Sequence, residues 1–229
     1  MQQATDEPLD VLDEHGLPTG RTKGRWAVHR DGDWHRAIHL WVVREERLVL
    51  LQRRAFTKDL EAGQLDVSVG GHYRAGELFV DVLREAEEEL GLTLRPAQPV
   101  YLGTARSERR YPAAEPPVVD RELQEVYVVR DERPLDAYHL APDEVEALYE
   151  LPVERAIALF ESGTYAAAAG YDAMRRPSDA LLYEADLPDQ GRALHAEALR
   201  RVAAWLDGEP AEAIAERPFG SAAAGSTVR

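Results

Sequence analysis

Four residues set the chemistry this chain can attempt: Arg84, Glu85, Glu88 and Glu89, within the stretch GGHYRAGELFVDVLREAEEELGL from Gly70 to Leu92. Residues three and four apart share a helical face. Glu85, Glu88 and Glu89 therefore project together, with Asp81 one turn earlier. Like charges at that spacing repel, and a cation relieves the repulsion. Carboxylate oxygens suit a hard divalent ion, Mg²⁺ or Mn²⁺. The opposite face, Phe79, Val82, Leu83, Ala86 and Leu90, is apolar at helical spacing, so the segment can bury one side and present the other. Gly91 is suited to a left-handed end. Ahead of the helix, Gly70, Gly71 and Gly76 allow a tight turn and close approach of backbone to a ligand, and a helix N-terminus favours anions. A solvated acidic face is the bland reading of any glutamate cluster in so acidic a chain. The ordered combination of glycine loop, arginine and three glutamates argues against it.

The elements that must hold this segment read as strands interleaved with a few helices. Residues 8–13 read as a short strand and His15–Gly20 as a turn. Ala37–Val43 and Arg47–Gln52 form an apolar strand pair turning near Glu45-Glu46, and Gln64–Val69 is a strand running into the glycine loop. Further strands are expected at Val100–Ala105 and Leu123–Val129. Ser107–Val119 between them is charged and proline-rich, and reads as a mobile, specificity-bearing loop. Pro142–Glu144 is a turn. Leu151-Pro152 opens a helix burying Ala156, Ile157, Leu159 and Phe160; Pro188 opens another with Leu194, Ala198, Val202 and Trp205 on one face. This order predicts an α/β chain with a mixed sheet between helices.

Composition narrows the function classes. The 229 residues, 45% of them hydrophobic, suffice for one packed domain with additions, or two small ones. No run reaches the length of a membrane span, and the acidic start lacks an apolar leader, so a cytoplasmic location is expected. Without cysteines there are no disulfides, zinc-thiolate sites or thiol catalysis. A net charge of −15 argues against a nucleic-acid polymer as partner, and a phosphate-bearing ligand needs a metal or a local basic pocket to approach.

Residues 70–92 resemble the Nudix box, G-x5-E-x7-R-E-U-x-E-E-x-G-U with U aliphatic. Arg84, Glu85, Ala86, Glu88, Glu89, Gly91 and Leu92 match its second half, and Gly71 to Glu77 its first; six residues rather than seven separate Glu77 from Arg84. The order LDEHGLPTG, AVHRDGDWHRAIHLWVV, LLQRRAFTKD and DVSVGGH is similar to the branch holding isopentenyl-diphosphate isomerases and related hydrolases. The resemblance implies a Nudix-type α/β/α sandwich over residues 1–162, then a helical extension over 163–207 and a flexible tail over 208–229, the last also suggested by its Ala, Gly, Ser and Pro content.

The resemblance also implies hydrolysis of a diphosphate linkage in a nucleoside diphosphate derivative or similar small molecule. Mg²⁺ or Mn²⁺ would be held by Glu85, Glu88 and Glu89, with Glu122 joining from a distant strand. Glu85, Glu89 or Glu122 would take the proton from the attacking water. Arg84, Gly71 and Glu77 would orient the site, and Arg54, Lys58 and His72 would meet the phosphates. Isomerases of the branch also bind a metal through three histidines and two acids, matched by His29, His35, His72, Asp120 and Glu122. Their catalytic cysteine falls at Gly70, which transfers no proton, so isomerisation is a lesser reading. A catalytically silent ligand-binding protein is the reading from another class. The C-terminal apolar faces allow a homodimer. Tyr73, Tyr101 and Tyr111 either stack on a base or pack internally.

Overall fold

The computed structural model describes residues 6–220. Its organising strand is β3 (Trp34–Arg44), along which side chains alternate between faces. Leu40 and Val42 enter one core, Trp41 and Val43 the other. β3 runs parallel to β8 (Val118–Arg130), from Trp34 opposite Arg121 to Val43 opposite Arg130. It is antiparallel to β6 (Val69–His72) and, near its end, to β4 (Leu48–Arg54). β4 continues the sheet through β9 (Val145–Pro152), β10 (Ala166–Asp172) and β11 (Ala180–Leu182), and also pairs with the two-residue β5 (Leu65–Asp66). β7 (Val100–Tyr111) pairs with β8, and the β1–β2 hairpin (Pro8–Leu12, Pro18–Gly24) meets the start of β3.

Helices cover both faces. α2 (Phe79–Val82) and α3 (Arg84–Leu90) bury Val82, Leu83, Ala86 and Leu90 against Leu40, Val42 and Val129. α4 (Val153–Ser162), α5 (Arg192–Leu206) and α6 (Ala211–Ala215) bury Phe160, Leu199, Val202 and Ile214 against Trp41, Leu51 and Val128. α1 (Arg25–Asp31) leads into β3. This is the α/β/α sandwich with a mixed sheet and extra C-terminal helices that the resemblance implied.

Several local expectations are corrected. Ser107–Val119 is not a loop. β7 and β8 extend through most of it, leaving only residues 112–117 as a turn. The charges misled because they alternate across a strand: Glu108 and Arg110 face solvent, whereas Arg109 points inward, lies opposite Asp120 in the register and donates to it at 2.8 Å. Gln64–Val69 splits into β5 and β6, and β2 begins within the expected turn. The predicted single helix after the glycine loop is broken between α2 and α3 at Leu83. Residues 163–207 carry β10 and β11 before α5, because the run AAAAGYD alternates buried and exposed positions as a strand, β10, that pairs with both β9 and β11. α5 starts at Arg192 rather than near Pro188.

The expected flexible tail divides. Residues 221–229 lie outside the described residues, whereas 208–220 dock on the domain. Arg201, itself buried, donates to the carbonyls of Leu102 and Ile214, each at 2.9 Å, and of Arg217 at 2.8 Å. Ile214 is fully buried beside it. Replacing Arg201 with Leu strands these carbonyls and is expected to destabilise the fold by about 3 kcal/mol, with turnover unaffected because Arg201 does not line the cavity. Urea denaturation measures this; a midpoint equal to that of the parent chain would contradict the docking.

Candidate active site

The glycine loop places β6 against the acidic helix. A side chain at Gly71 would collide with the Glu85 carboxyl, 2.3 Å from where its Cβ would stand, so only glycine lets the two approach. The Gly70 N–H donates to Glu89 Oε2 at 3.3 Å, and Gln52 on β4 adds a second donor at 3.2 Å. Gly91 adopts the expected left-handed end, φ +62°.

Glu85, Glu88 and Glu89 line one cavity of about 520 Å³. Glu85 is largely buried and Glu89 buried, whereas Glu88 is half-exposed. Burial raises the Glu85 pKa to about 7; Arg84 opposes the shift, and Glu88 and Glu7 add to it. Burial also pushes Glu89 well above the carboxylate range, reinforced by repulsion from Glu85 and Glu144. Such a pair is short of positive charge, which fits it to a divalent cation. Arg84 braces the group. Its Nε and one Nη grip Glu77 at 2.8 and 3.2 Å, and its other Nη reaches Glu85 at 2.6 Å and Glu88 at 3.0 Å. The shortened spacing therefore does not separate Glu77 from Arg84.

A second cluster meets the same cavity through His29, His72, Asp120 and Glu122, with His35 behind them. α1 supplies His29, β3 His35, β6 His72, and β8 Asp120 and Glu122. The three imidazole centroids lie 4.9–5.5 Å apart. His35 Nδ1 donates to the Asp33 carbonyl at 3.2 Å, which turns Nε2 inward. The Nε2 atoms of His29 and His35 each stand 3.7 Å from Asp120 Oδ1, and all three atoms are buried without a hydrogen-bond partner. Burial, aided by the neighbouring rings, lowers the His29 pKa to about 2. Burial likewise lowers the His72 pKa to about 4, although the hydrogen bond to Glu122 opposes the shift. The rings of His29 and His72, held neutral, and the orphaned atoms converging within 4.8 Å fit a metal ion.

Arg109 backs this cluster. It donates to Asp120 Oδ2 and Glu122 Oε2 at 2.8 and 2.7 Å, leaving Oδ1 and Oε1 for the histidine side. Burial opposes the Glu122 charge, yet Arg109 and the His72 hydrogen bond at 3.2 Å outweigh it and hold Glu122 ionised. Burial and the Glu122 charge push Asp120 upward. Glu61, at a left-handed φ of +53°, closes the far side of Arg109 at 3.3 Å.

Arg54 and Lys58 also line the cavity, each tied to a carboxylate: Arg54 to Asp66 at 3.0 Å, Lys58 to Glu144. Glu122 thus shares the cavity with the helical glutamates but belongs to the histidine cluster. Sequence reasoning missed Arg25, Glu61, Asp66, Arg109 and Glu144. Arg109 was legible in principle: Ala105, Ser107 and Arg109 follow a period of two that marks an inward strand face. Arg25 lines the cavity near His29 and His72, and its side chain makes no hydrogen bond or ion pair among the described residues.

The comparisons agree with this geometry. The NUDIX domain profile matches residues 33–170. An uncharacterized Nudix hydrolase of Clostridium acetobutylicum is 33% identical over 152 residues, 65% of this chain and 71% of that protein. Isopentenyl-diphosphate Delta-isomerase of Escherichia coli K12 is 32% identical over 127 residues, 54% of this chain and 66% of that enzyme. The crystal structure of DR0079 from Deinococcus radiodurans superposes with a TM-score of 0.54 at 23% identity, covering 69% of this chain and 90% of that one, a likeness of fold. No helix among the described residues is long and apolar enough to cross a membrane. With the profile spanning more than half of its length, the chain belongs to the Nudix family and is a Nudix hydrolase.

Proposed function

We propose that this Nudix hydrolase cleaves a diphosphate linkage in a small molecule, with Mg²⁺ or Mn²⁺ bound by Glu85, Glu88 and Glu89 and a second divalent ion accommodated by His29, His35, His72, Asp120 and Glu122. The observation that carries the reading is the meeting of both clusters with Arg54 and Lys58 in one cavity. Bound divalent ions neutralise phosphate charge and lower the pKa of a coordinated water.

The chain's own residues supply positioning and proton transfer. Arg54, Lys58 and Arg25, the last without an ion-pair partner among the described residues, draw the phosphates into a chain of strongly negative charge. Arg84 and Arg109 hold the carboxylates at fixed angles. Glu85, with a pKa near 7, suits a general base at neutral pH. Glu89 and Glu122 are the other carboxylates within the cavity. Isomerisation lacks a proton donor at Gly70. A nucleoside diphosphate derivative is the substrate class we favour.

Phosphate release from a panel of nucleoside di- and triphosphates, nucleotide sugars, dinucleoside polyphosphates, coenzyme A and isopentenyl diphosphate tests this directly. Metal-dependent turnover of one class is expected. Thermal shifts without turnover would instead mark a binding protein. On the substrate identified, Arg54→Ala and Lys58→Ala are each expected to raise KM about tenfold to a hundredfold with kcat changed little, the pattern of lost phosphate binding. Unchanged KM in both variants would remove them from the phosphate site.

A further inference from the structure

We propose that His195, on α5 and outside the family-matched stretch, is a positioning residue for the phosphate-binding corner of the active site, fixing the Arg54 guanidinium through Asp66. The proposal rests on the reading of Arg54 as a phosphate ligand. Asp66 is a buried carboxylate lining the floor of the cavity. Its Oδ2 accepts from Arg54 at 3.0 Å. Its Oδ1 accepts from the Val67 N–H at 2.8 Å and from His195 Nε2 at 3.0 Å. Three donors from three parts of the chain thus fix the plane of one carboxylate, and that plane aims Arg54.

His195 is itself held on every side. Its ring stacks on Phe160 at 5.0 Å with an interplanar angle of 4°, and meets the Trp41 ring edge-on at 6.1 Å. Its Nδ1 lies 3.1 Å from the Gly191 carbonyl, so both ring nitrogens face oxygen acceptors. The segment before α5 is tied to the site strands. Asp186 accepts from Arg53 on β4 at 2.9 Å, and the Gln190 amide makes two hydrogen bonds to the Arg110 backbone on β7, at 3.0 and 2.8 Å. α5 cannot shift without moving β4 and β7, so His195 is locked to the cavity floor.

A buried carboxylate deprived of one donor turns toward the partners it keeps. Without His195, Asp66 leans its charge on Arg54 and draws the guanidinium away from the cavity. The family-matched stretch supplies Arg54 and Asp66, and only the C-terminal addition supplies the ring that sets their angle.

The test is steady-state kinetics with Mg²⁺ on the substrate identified by the panel. It compares His195→Phe, which keeps the stack on Phe160 but loses the donor, His195→Gln, which restores a donor, Arg54→Ala, and His195→Phe combined with Arg54→Ala. His195→Phe is expected to raise KM about tenfold with kcat within about twofold. His195→Gln should recover most of that loss, and His195→Phe should add nothing once Arg54 is gone. Additive effects in the double variant, or a fall in kcat at unchanged KM, would overturn the proposal. Should His195→Phe not fold, His195→Asn, too short to reach Asp66, replaces it. If Arg54→Ala leaves KM unchanged, the phosphate reading of Arg54 has failed. The positioning is then read from the Arg54 Nε–H NMR resonance: movement in His195→Phe supports it, and an unmoved resonance overturns it.

Discussion

Glu89→Gln is expected to lower kcat by about a thousandfold, equivalent to about 4 kcal/mol of lost transition-state stabilisation, while the folded protein becomes no less stable. The substitution keeps the shape and one oxygen for the Gly70 N–H, but removes a buried carboxyl whose ionisation Lys58 and the Gly70 N–H support less than burial and the neighbouring glutamates oppose it. The stability half follows from linkage. Glu85 and Glu89 have folded pKa values above their ordinary 4.5. The folded state therefore binds more protons than the unfolded state between those values, and stability falls as pH rises through that window. For Glu85 the window runs from 4.5 to about 7. The contribution of these two carboxyls to the melting temperature of metal-free protein should decline as pH rises from about 4.5 to 7, against the opposite contribution of His29 and His72, whose lowered pKa values favour the fold as pH rises, and Mg²⁺ should reverse most of that decline by supplying the missing positive charge. Glu89→Gln should flatten this slope. Parent-like turnover in the variant, or a melting temperature indifferent to Mg²⁺ across that range, would remove Glu89 from the metal site.

The sheet and the box helix were legible because each obeys a single period. The strand at Ala37–Val43 alternates two cores, and Val82, Ala86 and Leu90 repeat at helical spacing. The glutamate face was legible for the same reason. What escaped was polar burial. Arg109, Asp66, Glu61 and His195 carry no sequence signal of burial because each is a charged or polar type, and only their partners make burial tolerable. Those partners lie far away along the chain: Arg54 is 12 residues from Asp66, and His195 is 129 residues from it. No local window contains both members of such a pair. The same blindness turned the inward charges of β7 and β8 into a supposed loop. The histidine cluster was found only through family resemblance, since His29, His35 and His72 carry no spacing rule that brings them together before β3, β6 and β8 pair.

Arg84→Ala is expected to damage stability and catalysis together, by about 3 kcal/mol in unfolding free energy and at least about a hundredfold in kcat. One guanidinium serves Glu77, Glu85, Glu88 and the His72 carbonyl, with Glu7 from the segment before β1 at 3.4 Å. Removing it leaves several carboxylates crowded without their central cation, and frees Glu85 from its orientation toward the cavity. Arg84→Lys should restore little, because an ammonium cannot grip Glu77 through two nitrogens while reaching Glu85. The pairing with Glu77 also explains why the missing residue between them is tolerated. Leu83 stands between α2 and α3 with ψ −14°, and the guanidinium reaches across it to grip Glu77. If the break exists to preserve that grip, Glu77→Gln should reproduce part of the loss seen in Arg84→Ala, and the double variant should lose less than the sum. Thermal melts and Mg²⁺ titrations of the three variants measure the coupling. Strictly additive losses would mean that Glu77 and Arg84 act separately and that the shortened box had already uncoupled them.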